Sequence, residues 1–302
     1  MSLLDTELDS RGVFTITLND PDRRNALSQE LSRSLLEAMT RVEDDPHIRL
    51  VVLTNLGSSF CAGADLSERN SGTEITVDPL GLAHQIMNSS KIWVGRIAGH
   101  AVAAGTGLAA ACDISVAHDD AKFGFTEVRL GIAPAVMSTI CLPKMRLGDA
   151  RAAFLRGRLF DGTEAARIGL INTAVPPEDL DDEVAAAVDD LLLGGPEALT
   201  ATKDILRRVP EMHADERTAW AKARSAELFS HRKKHARASR PSRRSVPQTG
   251  WRRKKASLRA VGGIRRSLVH DPLRFCFAAR AGMPARQKWR AGQRLREGYG
   301  AR

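Results

Sequence analysis

The sequence predicts an α/β fold with a largely parallel sheet. Three observations point there: apolar, β-branched runs alternate with stretches of helical periodicity, glycines punctuate the junctions between them, and a long helical region closes the pattern. VFTITLN (13–19) has the apolar, β-branched character of a buried strand. SQELSRSLLEAMTRVEDD (28–45) follows, with apolar positions at helical spacing behind a Ser cap. IRLVVLTN (48–55), IWVGRIAGH (92–100) and ACDISVAHD (111–119) are the next strands, the last two each leading through a loop to a helix. From about 163, TEAARIGL, EDLDDEVAAAVDDLLLG and PEALTATKDILRRV are helical, punctuated by Gly194, Gly195 and Pro196. No internal repeat is visible.

Charge divides the chain in two. Residues 231–302 hold 22 of the 45 Lys and Arg but only 2 of the 36 Asp and Glu, leaving 23 basic against 34 acidic residues in 1–230. The formal charge of +9 therefore hides an acidic body and a strongly basic tail, and any hint of an anionic partner belongs to the tail alone. The first 230 residues are enough for one sizeable core. MSLLDTELDSRG has neither a basic nor an apolar leader region, so no secretory signal is expected. GHAVAAGTGLAAACDI (99–114) is short and rich in small residues, suited to close backbone packing and not to spanning lipid. Cys61, Cys112, Cys141 and Cys276 show no paired or metal-type spacing, and the first three sit in apolar or Gly/Ala stretches as reduced thiols do. The expectation is a cytoplasmic protein with no metal site and no membrane span.

Three stretches could hold chemistry. SSFCAGADLSE (58–68) follows a strand and sets Gly63 between two alanines before a helix, where backbone N–H groups and the helix terminus favour a partial negative charge. GHAVAAGTGLAAACDI again enters a helix through glycines, Gly105 and Gly107, with no acid/base side chain. FGFTEVRLGIAP (123–134) places Glu127 in an otherwise apolar turn, where it either pairs with Arg129 or Lys122 or does acid/base work.

In this order and spacing, with VFTITLNDPDRRNALS before them and LFDGTEAARIGLINTAVP after, these stretches resemble the crotonase, or enoyl-CoA hydratase/isomerase, superfamily over nearly all of residues 10–230. The resemblance implies a ββα spiral core over 1–195, the start of a helical trimerisation region over 196–230, and an acyl-CoA thioester substrate, with coenzyme A entering as part of that substrate and no other cofactor. It implies an oxyanion hole made by the N–H groups of Ala64 and Ala104, in which Ala104 stands where relatives commonly carry glycine and can donate if its φ is negative. It assigns Glu127 as the acid/base. Ala62, Gly63, Leu66 and Gly105 join the binding loops, Ala62 and Leu66 through main-chain contacts to the adenine. Asp65 fixes the turn, and Arg24 lies near the CoA phosphates.

One departure bears on the reaction. Hydratases with two catalytic glutamates carry one where this chain has Gly107 and the other at Glu127. A lone Glu127 suits Δ3,Δ2-enoyl-CoA isomerisation, yet TEVRLGIAPA also resembles hydratase-like members of the methylglutaconyl-CoA type. Hydration is the expected activity and isomerisation the alternative. Ala135 stands where dienoyl-CoA isomerases and chlorobenzoyl-CoA dehalogenases carry a catalytic Asp, which argues against both. Glu68 and Glu74 fall in the variable loop and are expected to be solvated; His100 and His118 are expected to be structural.

The tail departs entirely. Relatives follow the equivalent of SAELFS with an ending of the form EAREG, AF, EKR, P, W. One permitted DNA for 231–251, read two nucleotides on, encodes SKEAREGIAAFAEKRSPDWV. Residues from about 231 are accordingly expected to be out of frame and largely disordered. In this family the C-terminal helices drive assembly as a homotrimer or dimer of trimers, and the last one helps cover the CoA, so an altered ending would weaken both. Two competing readings belong to other classes. One is a non-catalytic acyl-CoA-binding protein, distinguished by tight thioester binding without turnover. The other is a nucleic-acid binder using Trp251, Phe275, Phe277 and Trp289 among the tail arginines, distinguished by a salt-sensitive shift lost on truncation at 230.

Overall fold

The computed structural model describes residues 2–71, 74, 76–78 and 81–238, and Met1–Pro241 forms one compact unit. β1 (Leu4–Leu8) pairs antiparallel with β2 (Val13–Leu18), and α1 (Gln29–Asp44) follows, its first turn capped by the Ser28 hydroxyl accepting from the Leu31 N–H at 3.2 Å. The chain then repeats one plan three times. β3 (Leu50–Asn55), β4 (Ser59–Cys61) and α2 (Leu66–Asn70), extended by α3 (Gly81–Asn88), make the first unit. β5 (Ile92–Ile97), β6 (His100–Val102) and α4 (Ala104–Ala111) make the second. β7 (Ile114–His118), β8 (Phe123–Gly124), a 3-10 turn at Thr126–Leu130 and α5 (Ala135–Cys141) make the third. The rest comprises α6 (Leu147–Arg156), α7 (Gly162–Arg167), β9 (Thr173–Val175), α8 (Leu180–Leu193), α9 (Pro196–Arg208) and α10 (Ala214–Ala238).

Long strands collect in a six-stranded sheet, β1-β2-β3-β5-β7-β9, parallel from β2 onward; short strands collect in a three-stranded parallel sheet, β4-β6-β8. This is the ββα spiral. The repeat that the sequence hides is thus plain in the backbone, because what recurs is a path between two sheets and not a set of side chains. β1 is a strand that the polar N-terminal sequence did not announce.

Both faces of the large sheet are covered, as parallel strands require. Along β3, Leu50 and Val52 face one core and Val51 and Leu53 the other. The larger core, with Phe14, Leu35, Leu82 and Trp93, lies under α1, α3 and α4; the smaller is closed by Leu180, Val184 and Val188 of α8. All eight residues of α4 are buried, a density that only its small side chains permit. Cys61, Cys112 and Cys141 are buried free thiols, pushed up to about 12 by burial. No helix among the described residues is long and apolar enough to cross a membrane.

The backbone of α10 continues to Ala238, eight residues past the expected boundary at 230. The expectations of disorder and nucleic-acid contacts from 239 onward, and Cys276, lie outside the described residues.

One buried pair ties the helical region to the spiral. The Lys203 ammonium donates to the Ile86 and Lys91 carbonyls, both at 2.9 Å, and to Asp113 Oδ2 at 2.8 Å. Burial pushes the Asp113 carboxyl up and Lys203 pulls it back. Replacing Lys203 by Met takes the cation from Asp113, whose Oδ2 keeps only the Trp93 N–H at 2.8 Å among the described residues, and removes a donor from the Ile86 and Lys91 carbonyls, so denaturant unfolding should show a loss of about 3 kcal/mol.

Candidate active site

Two turns and one 3-10 segment meet around a cavity of about 200 Å³. The first turn leaves β4 at Cys61. Ala62 donates to the Arg24 carbonyl at 3.1 Å, the Leu27 N–H donates to the Gly63 carbonyl at 2.7 Å, and the Asp65 N–H donates to the Leu27 carbonyl at 3.3 Å. That bridge leaves the Ala64 N–H outside the ladder, and no acceptor for it exists among the described residues. Asp65 Oδ1 closes the turn by accepting from the Ser67 and Glu68 N–H groups and from the Ser67 hydroxyl, which chiefly holds its carboxyl below the usual range. Gly63 has φ +100°, and a Cβ there would lie 3.4 Å from the Ala104 nitrogen and 3.2 Å from the Ala103 Cβ, so the first turn rests directly on the second.

The second turn runs from β6 into α4. Ala103 donates to the Gly124 carbonyl at 2.9 Å, after which Ala104, as the first residue of α4, has an amide that no intrahelical carbonyl can take. Positive φ falls on Ala103 (φ 51°, ψ −119°) and not on Ala104, which meets the condition for donating. Thr106 pins the turn from below, its hydroxyl donating to the Ala101 carbonyl at 2.7 Å. Gly105 does not line the cavity: a Cβ on it would stand 2.0 Å from the Cys61 carbonyl oxygen, so its role is to let α4 lie against β4.

Glu127 comes from the 3-10 turn and lines the cavity with Ala62, Ala64, Leu66 and Ala104. It pairs with neither Arg129 nor Lys122; its Oε2 is buried with no hydrogen-bond partner among the described residues. Burial pushes its carboxyl up. The remaining walls are mostly apolar, among them Leu130, Ile132, Ala135 and Met137. Amides free of acceptors and an unpaired, desolvated carboxylate around one cavity are the groups that holding an oxyanion and moving a proton require.

Other sequence candidates fall elsewhere. Arg24 is exposed, has φ 55° and does not line the cavity; the neighbouring cation Arg23 bonds Asp20 at 2.8 Å and reaches Asp65 at 4.0 Å. Glu68 is not simply solvated: its Oε2 accepts from the Gln29 N–H at 2.8 Å, capping α1. Glu74 is exposed. His100 Nδ1 accepts from the Lys122 N–H at 3.1 Å, a structural contact. Among the described residues no three His, Cys, Asp or Glu are grouped to hold a metal ion. A larger cavity, about 410 Å³, lies beneath α9 and α10; there Arg49 bonds the Leu192 and Gly194 carbonyls, Lys91 the Ile48 carbonyl, and Arg224 Nη1 bonds Glu227 while its Nε is buried without a partner among the described residues.

Sequence reasoning missed Asn25, fully buried at φ 53°. Its Oδ1 accepts from the Asp20 N–H, and its Nδ2 donates to the Leu56 and Ser59 carbonyls, which fastens the loop that carries Leu27 to the start of β4. Its place in RRNALS, a loop motif before a helix cap, was the available signal.

Comparison with known proteins agrees with this architecture. Residues 9–242 match the enoyl-CoA hydratase/isomerase family model. A Thermus thermophilus protein provisionally named an enoyl-CoA hydratase is 36% identical over 214 residues, covering 68% of this chain and 85% of its own. The (E)-benzylidenesuccinyl-CoA hydratase of Thauera aromatica is 34% identical over 200 residues, covering 64% and 78%. The crystal structure of an enoyl-CoA hydratase from Mycobacterium smegmatis superposes with a TM-score of 0.71 at 30% identity, covering 76% of this chain and 91% of that one.

Ala103 sits in a backbone region that glycine alone occupies freely. Ala103→Gly should relieve about 1 kcal/mol of strain and raise the thermal midpoint by about 2–4 °C; an unchanged or lower midpoint by calorimetry would count against that strain.

Proposed function

Because this chain belongs to the enoyl-CoA hydratase/isomerase family, we propose that it hydrates a 2-enoyl-CoA thioester, using the Ala64 and Ala104 amides as the oxyanion hole and Glu127 as the acid/base. The observation that supports it best is the cavity shared by those two free amides and a carboxylate with an unpaired, buried oxygen. The Glu127 carboxylate takes a proton from water as the water oxygen bonds to the β-carbon. The double-bond electrons move toward the thioester, and the resulting enolate oxygen is held by the two amides. Glu127 then returns the proton to the α-carbon, so that water has been added and the carboxylate is restored. Fixed amides in a site of low polarity stabilise that oxygen by about 3–4 kcal/mol per donor, which is why the donors need no side chain.

A second reading, Δ3,Δ2-isomerisation, is favoured by Gly107, where no second carboxylate stands. Glu127 would then take the proton from C2 of a 3-enoyl thioester and return it at C4, with the same oxyanion contacts. Under the proposal Ala62, Gly63 and Leu66 border the CoA moiety and Arg24 stands near its phosphates. A spiral over 1–195, helices for homotrimer assembly over 196–230 and a cytoplasmic location belong to the same proposal. So does the out-of-frame origin of the sequence from about 231, which resequencing of the gene decides.

Assayed side by side on crotonyl-CoA and a 3-enoyl-CoA, Glu127→Gln should lower kcat/KM by about a thousandfold on whichever ester the unaltered chain turns over. Because burial raises the Glu127 carboxyl and the ionised form is the base, activity should fall on acidification at a pH above the ordinary glutamate range. Full activity in Glu127→Gln would defeat the proposal.

A further inference from the structure

The geometry points to Met137 as the residue that determines substrate specificity at this site, an inference that rests on the enoyl-CoA reading above. A Cβ at Gly107 would lie 2.1 Å from Met137 Sδ and 3.1 Å from its Cε, so the thioether occupies the volume in which any side chain at 107 would stand. Gly107 lies three residues after Ala104, on the same face of α4 as the free amide. Met137 is 2% exposed and lines the cavity with Glu127, Ala64 and Ala104. The volume beside Gly107 is therefore neither open space nor a water-filled gap: an apolar, polarisable group, which also lines the cavity, closes it.

This defines the class of acyl group. With Leu66, Leu130, Ile132 and Met137 among its walls, the cavity has Glu127 as its only ionisable lining residue among those described. An acyl chain bearing a carboxylate would bring a charge with no cation to meet it beside Glu127, which repels it. The site thus takes uncharged, apolar acyl chains, and Met137, a long side chain that fills the pocket beside the reacting carbons, limits their bulk.

The test is kcat/KM of the full chain on crotonyl-CoA, cinnamoyl-CoA and glutaconyl-CoA. The unaltered chain should use crotonyl-CoA and discriminate against glutaconyl-CoA. Met137→Ala should raise the cinnamoyl-to-crotonyl ratio by about tenfold or more, as removal of several pocket atoms does, whereas Met137→Leu, of similar volume, should leave the ratio within about threefold. Gly107→Ala should lower the thermal midpoint, and adding Met137→Ala should restore part of it. An unchanged ratio in folded Met137→Ala overturns the inference, as does glutaconyl-CoA used as well as crotonyl-CoA. If Met137→Ala does not fold, Gly107→Ala decides: a native midpoint and ratio would show that the thioether does not fill that volume. These failures differ from failure of the underlying reading, in which the unaltered chain turns over none of the enoyl-CoA esters.

Discussion

The site depends on a contact between two stretches of main chain. The Cys61 carbonyl and the Gly105 Cα approach so closely that one methyl group could not come between them, and Gly63, at φ +100°, lies more loosely against Ala103 and the first amide of α4. Interiors are packed too densely for such a gap to open without cost, so the spacing of the two turns is fixed by the absence of side chains. The free amides of Ala64 and Ala104 inherit that spacing. Under the proposed function their usefulness comes from preorganisation: no rearrangement is needed when charge develops on a thioester oxygen. Around this contact, Asn25 holds the loop before Leu27, Asp65 ends the first turn, and Thr106 anchors the second.

Against this rigid backbone, Glu127 is the titratable group that lines the cavity. Its unpaired oxygen and raised proton affinity come from the same cause, a mostly apolar lining with no cation among the described residues near enough to pair. A salt bridge to Arg129 or Lys122 would have lowered that affinity and spent the carboxylate on stability. The large ionic investments lie elsewhere, as in Lys203 and Asp113, where a buried pair also satisfies main-chain carbonyls. Lys144 follows the same pattern at the far end of α4, donating to the Ala110 and Cys112 carbonyls, with burial holding its ammonium below the usual lysine range. The carbonyls of Leu108, Ala109 and Ala110 near that end of the helix thus have donors, whereas the Ala104 amide at the other end has no acceptor among the described residues.

Much of this was legible in the residues. The buried strands at Val13, Leu50 and Ile92, the Ser28 cap and the α8 and α9 helices follow from periodicity and capping, which are local properties. The order and spacing of the glycine turns and Glu127 resemble the enoyl-CoA hydratase/isomerase family, and that resemblance implies the spiral. What stayed hidden depends on contacts between distant residues. β1 is a strand because β2 offers an edge, not because LDTEL is apolar. Strain at Ala103 appears only once β6 and α4 are placed, and no local rule marks Met137 as the neighbour of Gly107. The two- and three-residue strands of the second sheet are too short to show a period of two.

The six-stranded sheet ends differently on its two sides, yet to the same effect. At one rim β1 presents Asp5, Thr6 and Glu7 as exposed side chains, and at the other β9 has only three residues. Carboxylates and brevity both discourage a foreign strand from zipping onto an open edge. Fibril-like growth is thereby disfavoured at either border of this sheet.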